Sequence, residues 1–288
     1  MKNTIMTTLH RITAFSIISI FLTFTYSSAM SADTSNSTIT ETDIISINPW
    51  QFYDQLSNIE KLIYKGFENN KETLLSGKSV DFSVSSYSDE LKLSIDNCKT
   101  SVVTAMRAYL ADNPAEKIWL DYCKLSIRIS DNLLIVIVTP QGGIDARNAT
   151  ETFEQLTTEF VETLSGTDLE KLQAIHDWLS NNVEYDITTS NNGNVYGAIV
   201  EGRSVCSGFA YSFKYLSDKA GLNVVYVQGY YYASTNDTYT YHAWNMAEVD
   251  GEWLLVDVTF DASLGISSLF SWQNAGVHLP DSRFIYPN

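Results

Sequence analysis

The chain has 288 residues, and its 34 acidic and 18 basic side chains give a formal charge of −16. Clustered lysine and arginine hold nucleic-acid phosphates and anionic membranes, so this acidic balance argues against both partners. Hydrophobic residues make up 44% of the chain and charged residues only 18%, which suffices for a buried core and excludes a wholly disordered protein. Three cysteines exclude a disulfide-dense scaffold and leave at least one thiol without an internal partner.

Residues 1–32 are predicted to be a secretory signal peptide. A basic flank at Lys2 and Arg11 precedes the apolar run from Ile12 to Tyr26, and small residues follow at Ser27–Ala29, where a peptidase could cut. The run is short and interrupted for a membrane span, although an uncleaved anchor stays open as an alternative. We therefore expect a secreted or cell-surface protein.

Two helices are predicted after the signal. Residues 33–47 are rich in serine and threonine and are predicted to be a flexible lead-in. A first helix is expected to begin at Asn48-Pro49, because proline is favoured in a first turn and apolar residues follow at helical spacing. A second helix is expected from about Ser88 to Asn113-Pro114, where the proline would end it.

A hairpin completes the N-terminal part. Two runs rich in β-branched residues, 122–129 and 133–139, are separated by a polar triplet that predicts a turn. The two helices and the hairpin form a small α+β unit over residues 48–140, which we expect to pack against the following part or to present substrate to it. Pro140–Gly143 is the predicted boundary, and residues 141–288 are predicted to be the catalytic domain.

The run EGRSVCSGFAYSFKYLSDKAGL contains the first candidate reactive group, Cys206. Apolar residues after it recur at helical spacing, so the cysteine falls at or just before the first turn of a helix. The partial positive charge and the free N–H groups of a helix N-terminus favour a thiolate over a thiol. A buried structural cysteine is the alternative, because free cysteines are among the most buried side chains.

The segment YHAWNMAEVDGEWLLVDVTFD predicts a hairpin that brings a histidine beside a carboxylate. Asp250-Gly251 is typical of a two-residue turn between two strands. In that register His242 lies opposite Thr259, so His242 and Asp257 become diagonal neighbours on one sheet face. A three-residue turn would reverse the faces. The alternatives are structural roles, a sheet histidine and a turn carboxylate.

A nucleophilic thiol needs a base that takes its proton and a third group that orients the base. Cys206, His242 and Asp257 are the residues that fill these three roles. Asp257 stands among apolar residues, where an ionised carboxylate requires a partner. The combined pattern favours a catalytic triad over three separate structural roles.

These motifs resemble those of the transglutaminase-like superfamily, in particular its exported bacterial members. The similarity runs from AIHDWLSNNVEYD through the cysteine segment to HAWNMAEVDGEWLLVDVTFD, about residues 170–262. It implies an α+β fold with a papain-like core, in which a helix bearing Cys206 packs on an antiparallel sheet bearing His242 and Asp257. It also implies thiolate attack on a glutamine side-chain or peptide amide, and a thioester that passes to an amine or to water. A cysteine peptidase with the same triad, and a catalytically silent binding or cell-wall module, are the alternatives.

Substrate contacts are predicted less directly. The resemblance implies that the backbone N–H of Cys206 stabilises the oxyanion. It also suggests Tyr196 in a loop that lines the site. Trp244 is predicted to share a sheet face with His242, where it could shape the acyl channel or pack in the core. Ser207 stands where bacterial relatives often carry glutamine, so substrate contacts beside the nucleophile differ from theirs.

The remaining candidates receive structural or open roles. His176 and Asp177 match a packing motif on a helix, and His278 is interpreted as an isolated residue of an irregular tail. No pair of histidines or cysteines has metal-ligand spacing, and the acidic residues do not follow an EF-hand order. No metal or cofactor is therefore predicted, and calcium, although open, has no support. Cys98 and Cys123 could form a disulfide or stay reduced and buried. A protein or peptide substrate is the predicted partner, and the oligomeric state stays open.

Overall fold

The computed structural model describes residues 38–39, 51–84, 95–130, 133–141, 145–233, 238–265, 269 and 278–287. The predicted signal peptide, most of the lead-in and the predicted starts of the first two helices lie outside these ranges. The chain divides into two compact units between Ala149 and Thr150. Among the helices within the described ranges, none combines the length and the apolar character that a membrane crossing requires.

The first predicted helix is in fact two elements. Phe52–Gln55 forms a 3-10 turn, and helix α1 covers Asn58–Leu75. Ser57 precedes α1, and its backbone N–H donates to Glu60 Oε2 at 3.0 Å. A capping box of this kind satisfies N–H groups that have no partner within the helix, which explains why the helix begins at Ser57 and not earlier.

Four strands of the first unit form one sheet. Strand β1 is Thr38–Ile39, β2 is Val80–Val84, β3 is Cys123–Ser130 and β4 is Leu133–Pro140, in the order β1-β2-β4-β3. The hairpin of β3 and β4 confirms the predicted one. The expected helix–helix–hairpin order is incomplete, however, because β2 lies between the helices and pairs with β4. Strand β1 lies within the segment predicted to be flexible, and it pairs with β2 in parallel.

Helix α2 covers Ile95–Asp112 and ends directly before Asn113-Pro114, as predicted. A 3-10 turn at Pro114–Glu116 and the short helix α3, Lys117–Leu120, lead into β3. Cys98 and Cys123 are buried free thiols, so the structure has the reduced alternative and not the disulfide. Burial raises the pKa of Cys123 to about 12, which makes this thiol a poor nucleophile.

The second unit begins within a helix and continues with short elements that lead to the cysteine. These are α4 (Ala146–Thr163), α5 (Asp168–Asn182), β5 (Glu184–Tyr185), α6 (Val195–Ile199), β6 (Arg203–Ser204) and α7 (Cys206–Lys219). Thr167 caps α5 by accepting the Glu170 N–H at 3.3 Å, a role that threonine often has at a helix start. The rings of Phe153 and Tyr215 are 5.3 Å apart, which packs α4 against α7.

A four-stranded antiparallel sheet supports the cysteine helix. Its members are β7 (Val224–Ala233), β8 (Thr238–Val249), β9 (Glu252–Val256) and β10 (His278–Pro280), in the order β10-β7-β8-β9, and α8 (Val258–Leu264) follows β9. The Tyr211 ring stacks on the Tyr226 ring at 4.0 Å, and Asn245 Nδ2 donates to the Ala210 carbonyl at 3.0 Å. These contacts pack α7 on the sheet, which confirms the expected α+β arrangement.

Candidate active site

The thiol of Cys206 lies at a helix N-terminus. Cys206 is the first residue of α7, and Val205 before it has extended backbone and supplies no side-chain cap. The partial positive charge of the helix end therefore lies at the thiol, as the sequence predicts. The residue is 9% exposed, so most of its surface is shielded from water.

A loop that precedes α6 holds this helix start in place. The Asn192 carbonyl accepts the Val205 N–H at 2.8 Å and the Ser204 hydroxyl at 2.9 Å. Gly208 allows the close approach, because a Cβ there would lie 2.5 Å from the Asn192 carbonyl oxygen and 2.1 Å from Ser204 Oγ. The position of Cys206 thus depends on a glycine one half-turn further along its own helix.

The hairpin turn has the predicted register. Val249 pairs with Glu252, and the two residues between them have positive φ angles, 53° at Asp250 and 84° at Gly251. Such a pair of left-handed residues matches the twist of the strands that it joins, which is why this dipeptide favours a two-residue turn.

Asp257 is a helix cap and not a strand residue. Strand β9 ends at Val256, and Asp257 begins α8 by accepting the Phe260 N–H on Oδ1 at 3.2 Å. The predicted pairing of His242 with Thr259 is therefore wrong, because Thr259 lies in α8. Aspartate is a strong N-cap residue, and this local preference ends the strand before the sheet register can extend further.

His242 and Asp257 nevertheless meet. His242 Nε2 is 2.7 Å from Asp257 Oδ2, with the histidine 5% and the aspartate 0% exposed. Burial by itself lowers the pKa of His242, but the carboxylate of Asp257 outweighs it and raises this pKa to about 10. Burial by itself raises the pKa of Asp257, yet His242 holds it well below its usual value. The contact therefore holds an imidazolium beside a carboxylate.

The structure brings all three predicted residues together. A side-chain hydrogen bond with Cys206 contributes to the raised pKa of His242. The thiol of Cys206 therefore lies within hydrogen-bonding reach of the His242 ring. Cys206, His242 and Asp257 thus form a chain of contacts that starts at a helix end and terminates at a helix cap.

His278 belongs to the same cluster, and its interpretation as an isolated tail residue is wrong. Its Nε2 lies 2.8 Å from Asp257 Oδ2, and its side chain is 3% exposed. Strand β10 carries it, with His278 opposite Tyr231 of β7. No sequence spacing indicates this contact, because it depends on β10 pairing with a strand that lies more than forty residues earlier in the chain.

The three residues predicted to contact substrate lie in different surroundings. Trp244 is 1% exposed, and its ring lies 6.0 Å from the His242 ring and 4.8 Å from the His278 ring, which supports the packing role. Ser207 is buried and donates to the Gly193 carbonyl at 3.4 Å. Tyr196 is half-buried on α6.

Two tyrosines near the thiol are further residues that the sequence patterns do not identify. Burial raises the pKa of both Tyr185 and Tyr226, and the charge of Cys206 adds to the rise in each case. Both side chains therefore remain neutral hydroxyls beside the sulfur. Tyr185 lies at the end of the VEYD segment, but neither that segment nor the tyrosine-rich β7 indicates by itself which residue reaches the cysteine.

A second buried histidine links α5 to α8. His176 Nε2 is 3.1 Å from Asp261 Oδ2, and its Nδ1 is 3.1 Å from Asp177 Oδ1. Burial lowers the pKa of His176, but the two carboxylates outweigh it and raise the pKa above its ordinary value. This is the packing role that the sequence predicts for His176.

One cluster of the described residues has donor atoms that could hold a metal ion. These atoms belong to His242, Asp257 and His278, and they lie within 4.8 Å of one another. Imidazole nitrogen and carboxylate oxygen are typical zinc ligands. Both Nε2 atoms already lie at hydrogen-bonding distance from the same Asp257 oxygen, so hydrogen bonds alone account for the geometry.

The sequence profile of the Transglutaminase-like superfamily matches residues 154–258. Among curated proteins, the chain is 27% identical over 138 residues to the Kyphoscoliosis peptidase of Homo sapiens, an alignment that covers 44% of this chain and 19% of that protein. The corresponding protein of Mus musculus is 28% identical over 109 residues, 34% of this chain and 16% of that one. The chain therefore matches less than a fifth of the length of these relatives.

Two solved structures are also similar to this chain. The crystal structure of a TGase has 13% identity and a TM-score of 0.34, and the alignment covers 67% of this chain and 57% of that one. The periplasmic domain of TgpA from Pseudomonas aeruginosa has 15% identity and a TM-score of 0.31, with coverages of 46% and 57%.

Proposed function

The chain carries a core of the transglutaminase-like superfamily over residues 154–258, and from this premise we propose that it is a thiol enzyme for acyl transfer or hydrolysis at protein and peptide amides. Cys206 is the nucleophile, His242 the acid and base, and Asp257 the group that orients the histidine. The observation that carries the proposal is the contact between His242 and Asp257, 2.7 Å long, with the thiol of a helix N-terminus hydrogen-bonded to the same imidazole.

Acylation begins with the proton of the thiol on His242. The raised pKa of His242, about 10, favours this imidazolium, and the N-terminus of α7 stabilises the negative charge of the sulfur. The sulfur of Cys206 attacks the amide carbonyl carbon and forms a tetrahedral oxyanion. When the oxyanion collapses, the C–N bond breaks, and His242 gives its proton to the departing amine or ammonia. A thioester on Cys206 and a neutral His242 remain.

Deacylation reverses the proton transfer. Neutral His242 takes a proton from a water molecule or a primary amine as it attacks the thioester carbon. The C–S bond then breaks and returns the thiolate and the imidazolium. Water gives hydrolysis and an amine gives transfer, so the two outcomes share every group of the site and differ in the acceptor alone.

The first turn of α7 supplies a donor for the oxyanion. The backbone N–H of Cys206 is one of the four N–H groups that have no partner within a helix. Val205 provides no side-chain cap, so the helix end can donate to a substrate oxygen. Burial of the His242–Asp257 pair strengthens such electrostatic contacts, because less water screens them.

A peptidase outcome is the second candidate. It is favoured by the curated relatives, which are called Kyphoscoliosis peptidase. The proposed substrate is in either case a protein or peptide. Export of the enzyme is part of the proposal, and it rests on the basic flank and the apolar run of residues 1–32.

Alkylation tests the nucleophile. Wild-type protein treated with iodoacetamide should carry the label on Cys206, as located by peptide mass spectrometry. The variant Cys98→Ala/Cys123→Ala should label as fast as wild type, because the buried thiols do not take part. A Cys206 that reacts no faster than an unstructured cysteine peptide would contradict the proposal and favour a catalytically silent module.

A second assay distinguishes the outcomes. Wild type and Cys206→Ala are incubated with a glutamine-containing protein and a fluorescent primary amine. Incorporation of the amine identifies a transferase, ammonia release without incorporation identifies side-chain hydrolysis, and new N-termini identify a peptidase. Equal signals from Cys206→Ala and wild type would contradict the role of the cysteine.

A further inference from the structure

We propose that His278 is a fourth member of the site, a positioning residue whose Nε2–H donates to Asp257 and holds that carboxylate ionised and aimed at His242. The proposal rests on the proposed function, because it concerns the residue that orients the base. Strand β10, which carries His278, is named the strap.

Among the described residues, the carboxylate of Asp257 accepts from three donors, and His278 is the one that lies outside the hairpin and the helix after it. Oδ1 accepts the Phe260 N–H at 3.2 Å, and Oδ2 lies 2.7 Å from His242 Nε2 and 2.8 Å from His278 Nε2. The first two contacts exist within the hairpin and its following helix. A second donor on Oδ2 fixes the rotation of the carboxylate, because turning it would break two buried hydrogen bonds at once.

Burial gives the second donor its importance. Asp257 is 0% exposed, so water cannot replace a missing donor. Without His278, the oxygen that faces His242 would lose one of its two hydrogen bonds in a shielded environment, and the neutral carboxyl would become less unfavourable. A neutral carboxyl no longer stabilises the imidazolium, so the thiolate of Cys206 would lose its counter-charge. The hydrogen bond of His278 also lowers the pKa of Asp257.

The strap is attached closely enough to fix this contact. Its residues His278 and Pro280 pair with Tyr231 and Gly229 of β7. A Cβ on Gly229 would lie 2.1 Å from the Leu279 carbonyl oxygen, so a glycine is what permits the approach. The Asp281 N–H donates to the Gln228 carbonyl at 2.8 Å and continues the pairing.

Packing and metal binding are the competing roles for His278. Its ring lies 4.8 Å from the Trp244 ring and 5.5 Å from the Tyr231 ring, contacts that any flat side chain of this size could make. A metal ligand would use the same Nε2 atom that faces Asp257. Two substitutions of His278, together with metal addition and removal, separate donation from both alternatives.

The test compares His278→Gln with His278→Phe. The glutamine amide can place a donor near the Nε2 position without the ring, and phenylalanine keeps a ring without a donor. The rate of Cys206 alkylation by iodoacetamide is measured from pH 5 to 9. We expect His278→Gln to react within about threefold of wild type and His278→Phe to lose about 10- to 100-fold, the range for outer partners of an active group. We also expect the alkylation rate of His278→Phe to fall at a higher pH than that of wild type. The titratable groups around Asp257 that bear on this profile are His242, Tyr231 and Cys206.

Several results would overturn the proposed role of His278. His278→Phe at the wild-type rate, or His278→Gln as slow as His278→Phe, overturns the donor role. Alkylation of wild type that changes when EDTA or zinc at equimolar amount is added assigns the cluster to a metal and also overturns it. A wild-type Cys206 without enhanced reactivity overturns the proposed function itself. This result comes from the wild type alone, so it is distinct from the comparison of the two His278 variants.

A measurement on the wild type covers the case in which a variant fails to fold. In protein with 15N-labelled histidine rings, His278 should have a proton on Nε2 throughout the pH range of fast alkylation, with assignment through the contacts of its ring to Trp244. An unprotonated Nε2 would contradict the proposal, because that nitrogen would then accept and could not donate to Asp257.

Discussion

Two buried histidine–aspartate contacts lie at opposite ends of one helical turn. Helix α8 begins with Asp257, which contacts His242 of the sheet, and four residues later it carries Asp261, which contacts His176 of α5. Both aspartates are 0% exposed, and both histidines have raised pKa values because a carboxylate outweighs burial. By these measures the two regions are the same kind of buried histidine–carboxylate contact.

The third partner separates them. His242 meets a thiol at a helix N-terminus, whereas the other ring nitrogen of His176 meets a second carboxylate, Asp177. A base between a carboxylate and a thiol can move a proton to and from a nucleophile. A histidine between two carboxylates has no group to activate and holds two helices together. The role of each of these buried histidines therefore depends on the group that it contacts besides its aspartate.

The largest expected effect comes from exchanging the two aspartates for asparagine. Asp257→Asn should lower the rate of Cys206 alkylation and of turnover by up to about 10⁴-fold, because a neutral amide no longer stabilises the imidazolium that accompanies the Cys206 thiolate. Asp261→Asn should lower the free energy of unfolding and leave the alkylation rate of the folded protein within about threefold. Equal losses of reactivity in both variants would remove the functional distinction between the pairs.

Substitution of His176 is expected to lower the stability of the protein and not the reactivity of Cys206. His176→Ala removes the histidine that contacts the buried Asp261 carboxylate, and we expect a loss of about 3–5 kcal/mol in the free energy of unfolding by urea. The control is Asp177→Ala, which removes the more exposed partner and should cost at most about 1 kcal/mol. A His176→Ala variant that keeps its stability but loses alkylation of Cys206 would make His176 part of the chemistry.

A substitution at Gly208 should displace Cys206 from His242 without changing either residue. Gly208→Ala places a methyl group 2.5 Å from the Asn192 carbonyl oxygen, so the helix start must shift. A displacement of about 1 Å at a nucleophile can cost about 10²-fold in rate, which is the expected loss of turnover. Gly193→Ala is the control, since Gly193 follows Asn192 in the loop before α6. The atom nearest to a Cβ at this position is Ser207 Oγ at 3.4 Å, which leaves room for a methyl group.

The smallest expected effect is a change in how the free energy of unfolding depends on pH. The folded pKa of His242 is raised to about 10 from an ordinary value of 6.5. Its stabilising contribution is therefore fully present below pH 6.5 and is lost as the pH rises towards 10, by at most about 1.4 kcal/mol for each pH unit. His176 acts in the same direction. Urea unfolding from pH 6.5 to 9 should give a shallower decline in His242→Gln than in wild type, and an unchanged slope would contradict the imidazolium–carboxylate pair.

Local signals predicted the parts of the site that depend on neighbouring residues. The Asp250-Gly251 turn predicted the register of the hairpin, and the helical spacing of the apolar residues after Cys206 predicted that α7 starts at this cysteine. The family resemblance added the core, which the match over residues 154–258 confirms. Asp257 contacts His242 as predicted, but it does so from a helix cap and not from a continued strand.

The missed features depend on partners far away in sequence. Strand β2 pairs with β4 across more than fifty residues, and β10 brings His278 to β7. Such pairings are determined by the packing of the whole sheet, and a stretch of three to five residues does not encode its partner. The first helix shows the reverse case, because the local capping signal at Ser57 determines its start, and the proline at residue 49 does not.

The short helix α8 also determines the spacing between two layers of the fold. Asp257 and Asp261 are one helical turn apart, so the sheet and α5 are connected through a fixed rotation and rise along α8. A single residue inserted between them would turn the later aspartate by about 100°, away from His176, if the earlier one kept its contact with His242. We therefore expect the two contacts to survive substitutions on the outer side of this turn, and an insertion or deletion within it to break one of them.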